Sequence, residues 1–444
     1  MMLQRKITFR LYPNATQKNL LEDSLALHCR AYNTLLEEHR RRHESGEPFF
    51  SFSAMCREIT TWRKLSPALG SLNAQSLQVT ARRVDLAFAA FFRRVKAGEE
   101  PGYPRFKSLQ RFRGWGYKTH GDGWKVIQPR GKHGKIRLSG IGEVPMRGKG
   151  RFSGTPKTAE VLRRGGKWYL SVTYNVRRED VSRKKGIETG AFDWGIDTLL
   201  TLVTQEGSLE TVENPRWLKS KLESLKTLQR AVSREEARAK VLAGLDPGSP
   251  LSKGQHFLPT KKLKRLYAQV RNLHGKIARQ RHDFYHKLSA ELVSRFGFLG
   301  TENLEPSKMS RRPKKKESPD NPGVFLPNGA AAKSGLNRGI LDGAPAKLLG
   351  MLRTKAEEAA SEFTLGNTRK MKPSQRCHRC GTIVPKTLRD RVHTCSCGCI
   401  CGRDENAART ILRWMLEGEF WSGTGQAIPP KGLQETPSIS AVAD

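Results

Sequence analysis

The sequence predicts an α/β chain with additional all-β and all-α parts, and three observations support this. Residues 5–12 alternate between apolar and polar side chains, as a half-buried strand does, and two helical patterns follow. Short strands punctuated by glycine begin near Trp115, and a second region of strands and helices begins near Phe192. At 444 residues the chain is long enough for about three domains of ~150 residues.

The first helical region contains a candidate base-reading surface. Pro13 and Asn14 open one helix, and apolar residues in steps of three and four predict another over residues 72–96. Polar residues on the far side of the second helix are of types that bind base edges: Gln75, Gln78 and Arg82. Spacing alone favours the alternative, a plain solvated face.

The glycine-punctuated region predicts a small barrel. A Gly165-Gly166 turn separates a strand at residues 159–162 from an alternating strand at residues 168–174. Short strands at regular spacing are typical of such barrels. The strand at residues 5–12 could belong to the same barrel, with the helical region inserted into it.

The second half of the chain is a mixture of strands, basic helices and loops. We expect a strand at residues 192–203, a helical stretch at 215–295, a mobile loop at 311–334, and helices at 343–363 and 405–416. The tail from residue 422 onward is rich in Ser, Pro and Gly, which predicts disorder.

The charge predicts a polyanionic partner. Eighty Lys and Arg residues against 42 Asp and Glu residues give a formal net charge of +38. Nucleic acid is the usual partner of so basic a chain, and an anionic membrane surface is the alternative. No apolar run approaches the ~20 residues of a membrane span, and no signal peptide opens the chain, so we expect a cytoplasmic protein.

Six of the eight cysteines lie between Cys377 and Cys401, which predicts metal binding. Cys377 and Cys380 form a CxxC pair, followed by Cys395 and Cys397 in a CxC pair. Four thiolates with glycine in the adjacent turns are what structural Zn²⁺ requires. Because Cys399 follows closely, the fourth ligand could be Cys397 or Cys399.

Three acids stand at the ends of predicted elements. Asp193 and Glu302 each lie on a short apolar strand, and Asp404 opens the last helix. Singly, the first two could be solubilising residues and Asp404 a helix cap. Together, in a chain this basic, they predict a site for two Mg²⁺ ions that acts on phosphodiester bonds, because hard cations bind carboxylate oxygens.

An ordered set of motifs resembles the TnpB family of transposon-encoded, RNA-guided DNA endonucleases, relatives of the type V CRISPR effectors. The motifs are FRLYPN at residues 9–14, FFRR at 91–94, GYPRF at 102–106, FDWG at 192–195, RHDFYHKL at 281–288, TENL at 301–304, SQRCHRCG at 374–381 and RDENAA at 403–408. The second cysteine pair departs from the family pattern because it is CxC, and Cys401-Gly402 stand where an acid often precedes Arg-Asp.

The resemblance implies a division of the chain into domains. Residues 1–10 and 114–185 would form a split oligonucleotide-binding (wedge) barrel, and residues 11–113 its helical recognition insert. Residues 186–371 and 403–421 would form an RNase-H-like RuvC nuclease domain, interrupted by a zinc ribbon at residues 372–402. Residues 422–444 would be a disordered tail.

The resemblance also implies an activity and partners. Asp193, Glu302 and Asp404 would be the catalytic metal-binding triad of a Mg²⁺-dependent endonuclease, and Cys377, Cys380, Cys395 and Cys397 would hold Zn²⁺. A guide RNA from the transposon end would direct a monomeric protein to double-stranded DNA, next to a short motif near Gln75, Gln78 and Arg82. The alternatives are a guided repressor that does not cut, a transposase or its accessory protein, and a basic RNA-binding structural protein.

Overall fold

A computed structural model describes residues 2–127, 133–148, 154–252, 255–387 and 389–418. The chain divides into two compact units, Met1–Val181 and Ser182–Asp444. The predicted disordered tail at 422–444 lies outside the described residues, and the finer predicted domain boundaries stay predictions.

The first unit is one antiparallel sheet with helices inserted after its first strand. Its elements in chain order are β1 (Met2–Leu11), α1 (Ala15–Glu44), α2 (Phe52–Leu65), α3 (Pro67–Gly70), α4 (Ala74–Lys96), β2 (Gly114–Tyr117), β3 (Trp124–Ile127), β4 (His133–Leu138), β5 (Gly142–Arg147), β6 (Thr155–Arg164), β7 (Lys167–Arg177) and a 3₁₀ turn at Glu179–Val181.

The sheet of the first unit has the strand order β2-β6-β7-β1-β5-β4-β3. β1 pairs with β7 along most of its length and with β5 at its end, so the first strand does belong to the sheet that the later strands form. β6 and β7 are joined at Gly165 and Gly166, whose φ angles of +59° and +72° suit glycine in a tight hairpin turn. The predicted hairpin is confirmed, and closure of the sheet into a barrel stays a prediction.

The helices of the first unit begin where the sequence indicates. The Asn14 side chain accepts a hydrogen bond from the Gln17 N–H, and the Gln17 side chain accepts one from the Asn14 N–H, which is a capping box. α4 begins after Asn73 and buries Leu77, Val84 and Phe88 in the core of the unit. Burial of this apolar stripe is what attaches the helix to the sheet.

The second unit is a mixed sheet with helices, followed by a small cysteine-rich hairpin. Its elements are β8 (Glu188–Trp194), β9 (Thr198–Thr204), β10 (Leu209–Glu213), a 3₁₀ turn at Lys219–Lys221, α5 (Leu222–Leu242), α6 (Lys261–Arg295), β11 (Phe296–Glu302), α7 (Pro306–Met309), β12 (Lys316–Glu317), β13 (Phe325–Leu326), α8 (Ala330–Gly343), α9 (Pro345–Ala359), β14 (Glu362–Gly366), α10 (Thr368–Met371), β15 (Val392–Thr394), β16 (Ile400–Gly402) and α11 (Arg403–Glu417).

The main sheet of this unit has the order β10-β9-β8-β11-β14, and β8, β11 and β14 run parallel. Phe192 of β8 joins a core with residues of α6 and α9. Its neighbour Ala191 joins a different core with Ala408 and Ile411 of α11. Because successive side chains of a strand point to opposite faces, α11 covers one face of the sheet, and α6 and α9 cover the other.

The structure corrects the predicted single strand at residues 192–203. The chain turns after Trp194, so that β8 and β9 form an antiparallel hairpin. The Gly195 N–H donates to the Leu199 carbonyl oxygen at 3.2 Å, and a Cβ at Gly195 would collide with the Thr198 carbonyl oxygen. The sequence pattern did not reveal this turn because apolar residues continue on both sides of it.

The helical stretch predicted at 215–295 is confirmed, and the helix predicted at 343–363 is shorter than expected. The stretch at 215–295 is two helices, α5 and α6, separated by a segment that contains Pro247, Pro250 and Pro259. The helix predicted at 343–363 is α9 (Pro345–Ala359): Ala344, with a φ of +43°, separates it from α8, and Glu362 and Phe363 already belong to β14. Proline lacks an N–H and disfavours a helical residue before it, so both breaks occur where the chain contains proline.

The predicted loop at 311–334 is only partly irregular, because it contains the β12–β13 hairpin and the start of α8. In the part of the chain that the structure describes, no helix has the length and apolar character needed to cross a membrane.

Candidate active site and metal centre

Asp193 and Glu302 lie at the carboxyl ends of two adjacent parallel strands. The register of β8 and β11 pairs Leu299 with Gly190 and Gly300 with Ala191, and its continuation sets Glu302 beside Asp193. Neighbouring strands are about 4.8 Å apart, so side chains paired in this way lie close together. Asp193 is two residues from Ala191, and therefore on the face that α11 covers.

Asp404 reaches the same face from α11. It is the second residue of that helix, whose Ala408, Ile411 and Leu412 are buried against the sheet. The helix can approach closely because β11 carries Gly300, where a Cβ would collide with the Met415 side chain of α11. The alternative role of Asp404 as a helix cap is not observed, because Gly402 occupies the cap position and has no side chain that could cap.

The three carboxyl groups interact electrostatically. Burial raises the pKa of Asp193 well above its usual value, and the charges of Glu302 and Asp404 raise it further, while the charge of Arg403 opposes them. Burial also raises the pKa of Glu302, partly offset by the Thr368 hydroxyl. Carboxylates that repel one another in a half-buried place are stabilised by a bound cation.

Two residues that the sequence analysis did not single out hold this arrangement. The Thr301 hydroxyl donates to the Phe192 carbonyl oxygen at 2.8 Å and so connects β11 to β8 directly before the two acids. Arg403 donates from Nε and Nη2 to Asp404 Oδ1, both at 3.0 Å. Both residues lie within motifs named above, TENL and RDENAA, next to the acids, but the sequence did not indicate these contacts.

Other buried acids of this unit have different surroundings. Asp342 accepts hydrogen bonds from the backbone N–H groups of Leu218 and Lys219. Glu358 pairs with Arg183 at 2.7 Å. Asp342 and Glu358 therefore stabilise the fold through these contacts. Asp193 and Glu302 differ from them because each has the other acid as its neighbour.

The structure brings four of the cysteines into one cluster. The sulfur atoms of Cys377, Cys380, Cys395 and Cys397 all lie within 4.8 Å of one another. Cys377 and Cys397 are 3.7 Å apart, and Cys380 and Cys395 are 3.5 Å apart. Four sulfurs bound tetrahedrally at about 2.3 Å from Zn²⁺ would be about 3.8 Å apart. The cluster can therefore hold a zinc ion, and it includes Cys397 and not Cys399.

Turns with glycine position these sulfurs. Gly381 and Gly398 have φ angles of +81° and +78°, which side chains rarely adopt. The Gly381 N–H donates to the Cys377 carbonyl oxygen, and the Gly398 N–H to that of Cys395. The two turns thus bring the sulfur atoms of both cysteine pairs together in one cluster.

Asn406 connects the cysteine cluster to the helix that carries Asp404. Its Oδ1 accepts from the His378 N–H at 3.1 Å, and its Nδ2 donates to the Arg376 carbonyl oxygen at 2.7 Å and that of Pro373 at 3.2 Å. Asn406 is fully buried. The hairpin and the start of α11 are thus fixed to each other.

The predicted base-reading residues have partners within the first unit. Gln75 Oε1 accepts from the Thr119 N–H at 3.1 Å, and Gln78 Oε1 accepts from Lys118 Nζ at 2.8 Å. Arg82 pairs with Asp85 at 2.5 Å, and its side chain remains 54% exposed. A nucleic-acid-binding role for the three stays a prediction.

Comparisons with known proteins identify related sequences along most of the chain. The OrfB_IS605 profile, described as "Probable transposase", matches residues 171–312, and the Cas12f1-like TNB domain matches 346–411. A related helix-turn-helix profile matches 1–48, although this structure has one strand and one helix there.

Two curated relatives align almost end to end. A Streptomyces pristinaespiralis protein, provisionally named RNA-guided DNA endonuclease, is 28% identical over 97% of this chain and 93% of its own length. InsQ of Escherichia coli K12, with the same provisional name, is 26% identical over 91% of this chain and 90% of its own length.

A Cas12f1 protein, solved by cryo-electron microscopy with its sgRNA and target DNA, shares the fold. Its TM-score is 0.54 at 11% identity, with 93% of this chain and 99% of that chain covered. The protein thus has a Cas12f1-like fold with a carboxylate cluster and a cysteine cluster. The profile matches, the two full-length relatives and this shared fold all support the resemblance to the TnpB family that the ordered motifs carry.

Proposed function

We propose that the chain is an RNA-guided DNA endonuclease of the TnpB type, which cuts DNA beside a short motif. The observation that carries this proposal is the convergence of Asp193, Glu302 and Asp404 from three elements onto one face of a sheet. In this proposal, the second unit contains an RNase-H-like RuvC domain, and the first unit is the wedge barrel with its recognition helices.

The carboxylate cluster fits divalent cations such as Mg²⁺. Three carboxyl groups offer the oxygen ligands that this ion prefers, and the raised pKa values of Asp193 and Glu302 reflect a repulsion that a cation would relieve. When bound, two such ions would activate water and stabilise the charge that develops on the scissile phosphate.

The protein's own contribution is to position these acids. The Thr301 hydroxyl keeps the ends of β8 and β11 together, and Arg403 orients the Asp404 carboxylate. Without cations the three acids would repel a phosphate backbone, so we expect them to permit cutting only in the metal-bound state.

The charge supports nucleic acids as partners. A net charge of +38 suits a protein that holds an RNA and a DNA target by their phosphates. The curated relatives carry the name RNA-guided DNA endonuclease, which supports a guide RNA and a double-stranded DNA target here. Such a protein would work on the nucleoid in the cytoplasm of its host.

The cysteine cluster would bind a structural zinc ion through Cys377, Cys380, Cys395 and Cys397. Their spacing fits tetrahedral coordination, and a closed set of four thiolates leaves no position for a substrate. Through Asn406, the zinc-bound hairpin would hold the start of α11 and thus Asp404.

Two linked measurements test the proposed function. RNA that co-purifies with the protein, expressed with its native flanking DNA, is sequenced; one discrete species that extends into the flank is expected. The complex is then incubated with a matching plasmid in Mg²⁺ or in EDTA. Linear plasmid that forms in Mg²⁺ but not in EDTA supports a nuclease, whereas plasmid that is bound but uncut indicates a guided repressor. A mixture of cellular RNAs in the purified protein contradicts guided recognition.

A further inference from the structure

His393 is a fully buried histidine without a hydrogen-bonding partner on either ring nitrogen, within the described part of the chain. It lies on β15, where it pairs with Cys401 of β16 in the backbone register. Leaving buried polar atoms unpaired costs on the order of 1–3 kcal/mol, and most such atoms in proteins have a partner. A partner for this ring must therefore come from something other than a hydrogen bond to the described residues, such as a bound ion.

Two thiols lie close to this ring. A ring nitrogen of His393 and the sulfurs of Cys377 and Cys399 all lie within 4.8 Å of one another, and all three residues are buried. Imidazole and thiolate together form a donor set that binds Zn²⁺. This set lies beside the four-cysteine cluster and shares one member with it, Cys377.

Further donors lie on the other side of Cys399. A third group joins Cys399 to Cys401 and to Nδ1 of His378, again within 4.8 Å. A tetrahedral ion bound by Cys377, Cys399 and His393 needs one more ligand, and Cys401, which lies within 4.8 Å of Cys399, is the candidate for it. Charge favours a second ion as well, because four thiolates around one Zn²⁺ carry a net charge of −2.

We propose that the hairpin binds two zinc ions, the second held by His393, Cys399 and Cys377, with the Cys377 thiolate bridging the two. This proposal rests on the four-cysteine zinc site of the proposed function. It gives a ligand role to Cys399 and His393, which lie outside the four-cysteine cluster.

The test is the zinc content of the full-length protein, purified under reducing conditions, by elemental analysis and native mass spectrometry. We expect two zinc ions per chain in the wild type, one in Cys399→Ser and in His393→Gln, and two in Cys56→Ser, a cysteine of the first unit. One zinc ion in the wild type overturns the second site alone, and none overturns both sites.

Substitution with Co²⁺ controls for misfolding of the variants. A Cys399→Ser protein that retains the absorption bands of a four-thiolate cobalt site has a folded hairpin, so a missing second equivalent is specific to the second site. In the wild type, the second equivalent of Co²⁺ should add bands of mixed sulfur and nitrogen ligation. If Cys399→Ser and the wild type show the same bands at every equivalent, the proposal is wrong.

Discussion

The Thr301 hydroxyl donates to the carbonyl oxygen of Phe192 at 2.8 Å, and each of these residues directly precedes an acid of the candidate site. One buried hydrogen bond therefore joins the two strand ends that present Glu302 and Asp193. The site depends on this pairing as well as on the acids themselves.

Replacing any of the three acids should abolish cutting. We expect Asp193→Ala, Glu302→Ala and Asp404→Ala each to reduce plasmid cleavage at least ~100-fold, because each removes a cation ligand from the site. RNA binding, measured by filter retention, should survive. Glu305→Ala is the matched control: this exposed acid near Glu302 pairs with Lys308 and should leave cleavage unchanged. Full cutting by a triad variant would refute its assignment.

Removing the Thr301 hydroxyl should destabilise the sheet at the site. Thr301→Val preserves the shape but leaves the buried Phe192 carbonyl oxygen without its donor, which costs about 1–3 kcal/mol in the free energy of unfolding. Thermal unfolding of the full chain measures this. Thr301→Ser retains a hydroxyl and should recover part of the loss; equal stability of the valine variant and the wild type would contradict the role.

Replacing Asn406 should reduce cutting without reducing zinc binding. Asn406→Ala removes the donor to the Pro373 carbonyl oxygen, one of the two donors to the Arg376 carbonyl oxygen and the acceptor of the His378 N–H, while the Thr410 hydroxyl still donates to Arg376 and the four clustered cysteines stay in place. We expect zinc content to be retained and cleavage to fall, because the start of α11 is no longer fixed. Elemental analysis and the plasmid assay, applied to the same preparation, measure the two properties. Loss of zinc, or unimpaired cutting, would count against this role.

Acid should destabilise the first unit through His28. Burial lowers the pKa of His28 to about 3, and the nearby charge of Arg83 contributes. In the unfolded chain the ring takes up its proton near pH 6.5, whereas the folded protein resists it. The unfolded state thus binds more protons between these values, and stability falls as the pH drops from 6.5 toward 3.

A His28→Gln variant tests this expectation in urea titrations followed by Trp fluorescence. His28 contacts the hydroxyls of Ser76 and Thr80 and stacks on Trp115, so the variant should be less stable at pH 7. Below pH 6.5 its stability should fall less steeply than that of the wild type, by up to about 1.4 kcal/mol per pH unit. Burial chiefly lowers the pKa of His39 to about 4, so the free energy of unfolding should still decrease with falling pH in both proteins. If the free energy of unfolding falls with pH equally steeply in the variant and the wild type, His28 is not the cause of the acid destabilisation.

The glutamines of α4 should influence the motif beside the target. If Gln75 and Gln78 read bases, replacing either with Ala should change which flanking sequences permit cutting, by about 1–3 kcal/mol per contact. A plasmid library with randomised flanks measures this preference, and Gln110→Ala serves as an exposed control. An unchanged preference in both α4 variants would assign these side chains to their contacts with Lys118 and Thr119.

The acids and cysteines were predictable from the sequence because their chemistry depends on residue type and local spacing. Their convergence was not, because it follows from the parallel pairing of β8 with β11 and from the approach of α11 over Gly300. Asn406 lies within the RDENAA motif, but its role was not predictable because it depends on backbone carbonyls some 30 residues away along the chain. The role of His393 was not predictable because it depends on burial beside thiols. The turn at Gly195 was missed because apolar residues continue on both sides of it.

The position of β1 between β5 and β7 has a consequence for synthesis. β1 ends at Leu11, whereas β5, which pairs only with its end, begins at Gly142, and β7, which pairs with most of its length, begins at Lys167. At translation rates of about 5–20 residues per second, this interval is on the order of ten seconds. During that time the helices of the insert can form locally, while β1 exposes Phe9 and Leu11. Nascent chains interrupted before β7 should therefore be the aggregation-prone form of this protein.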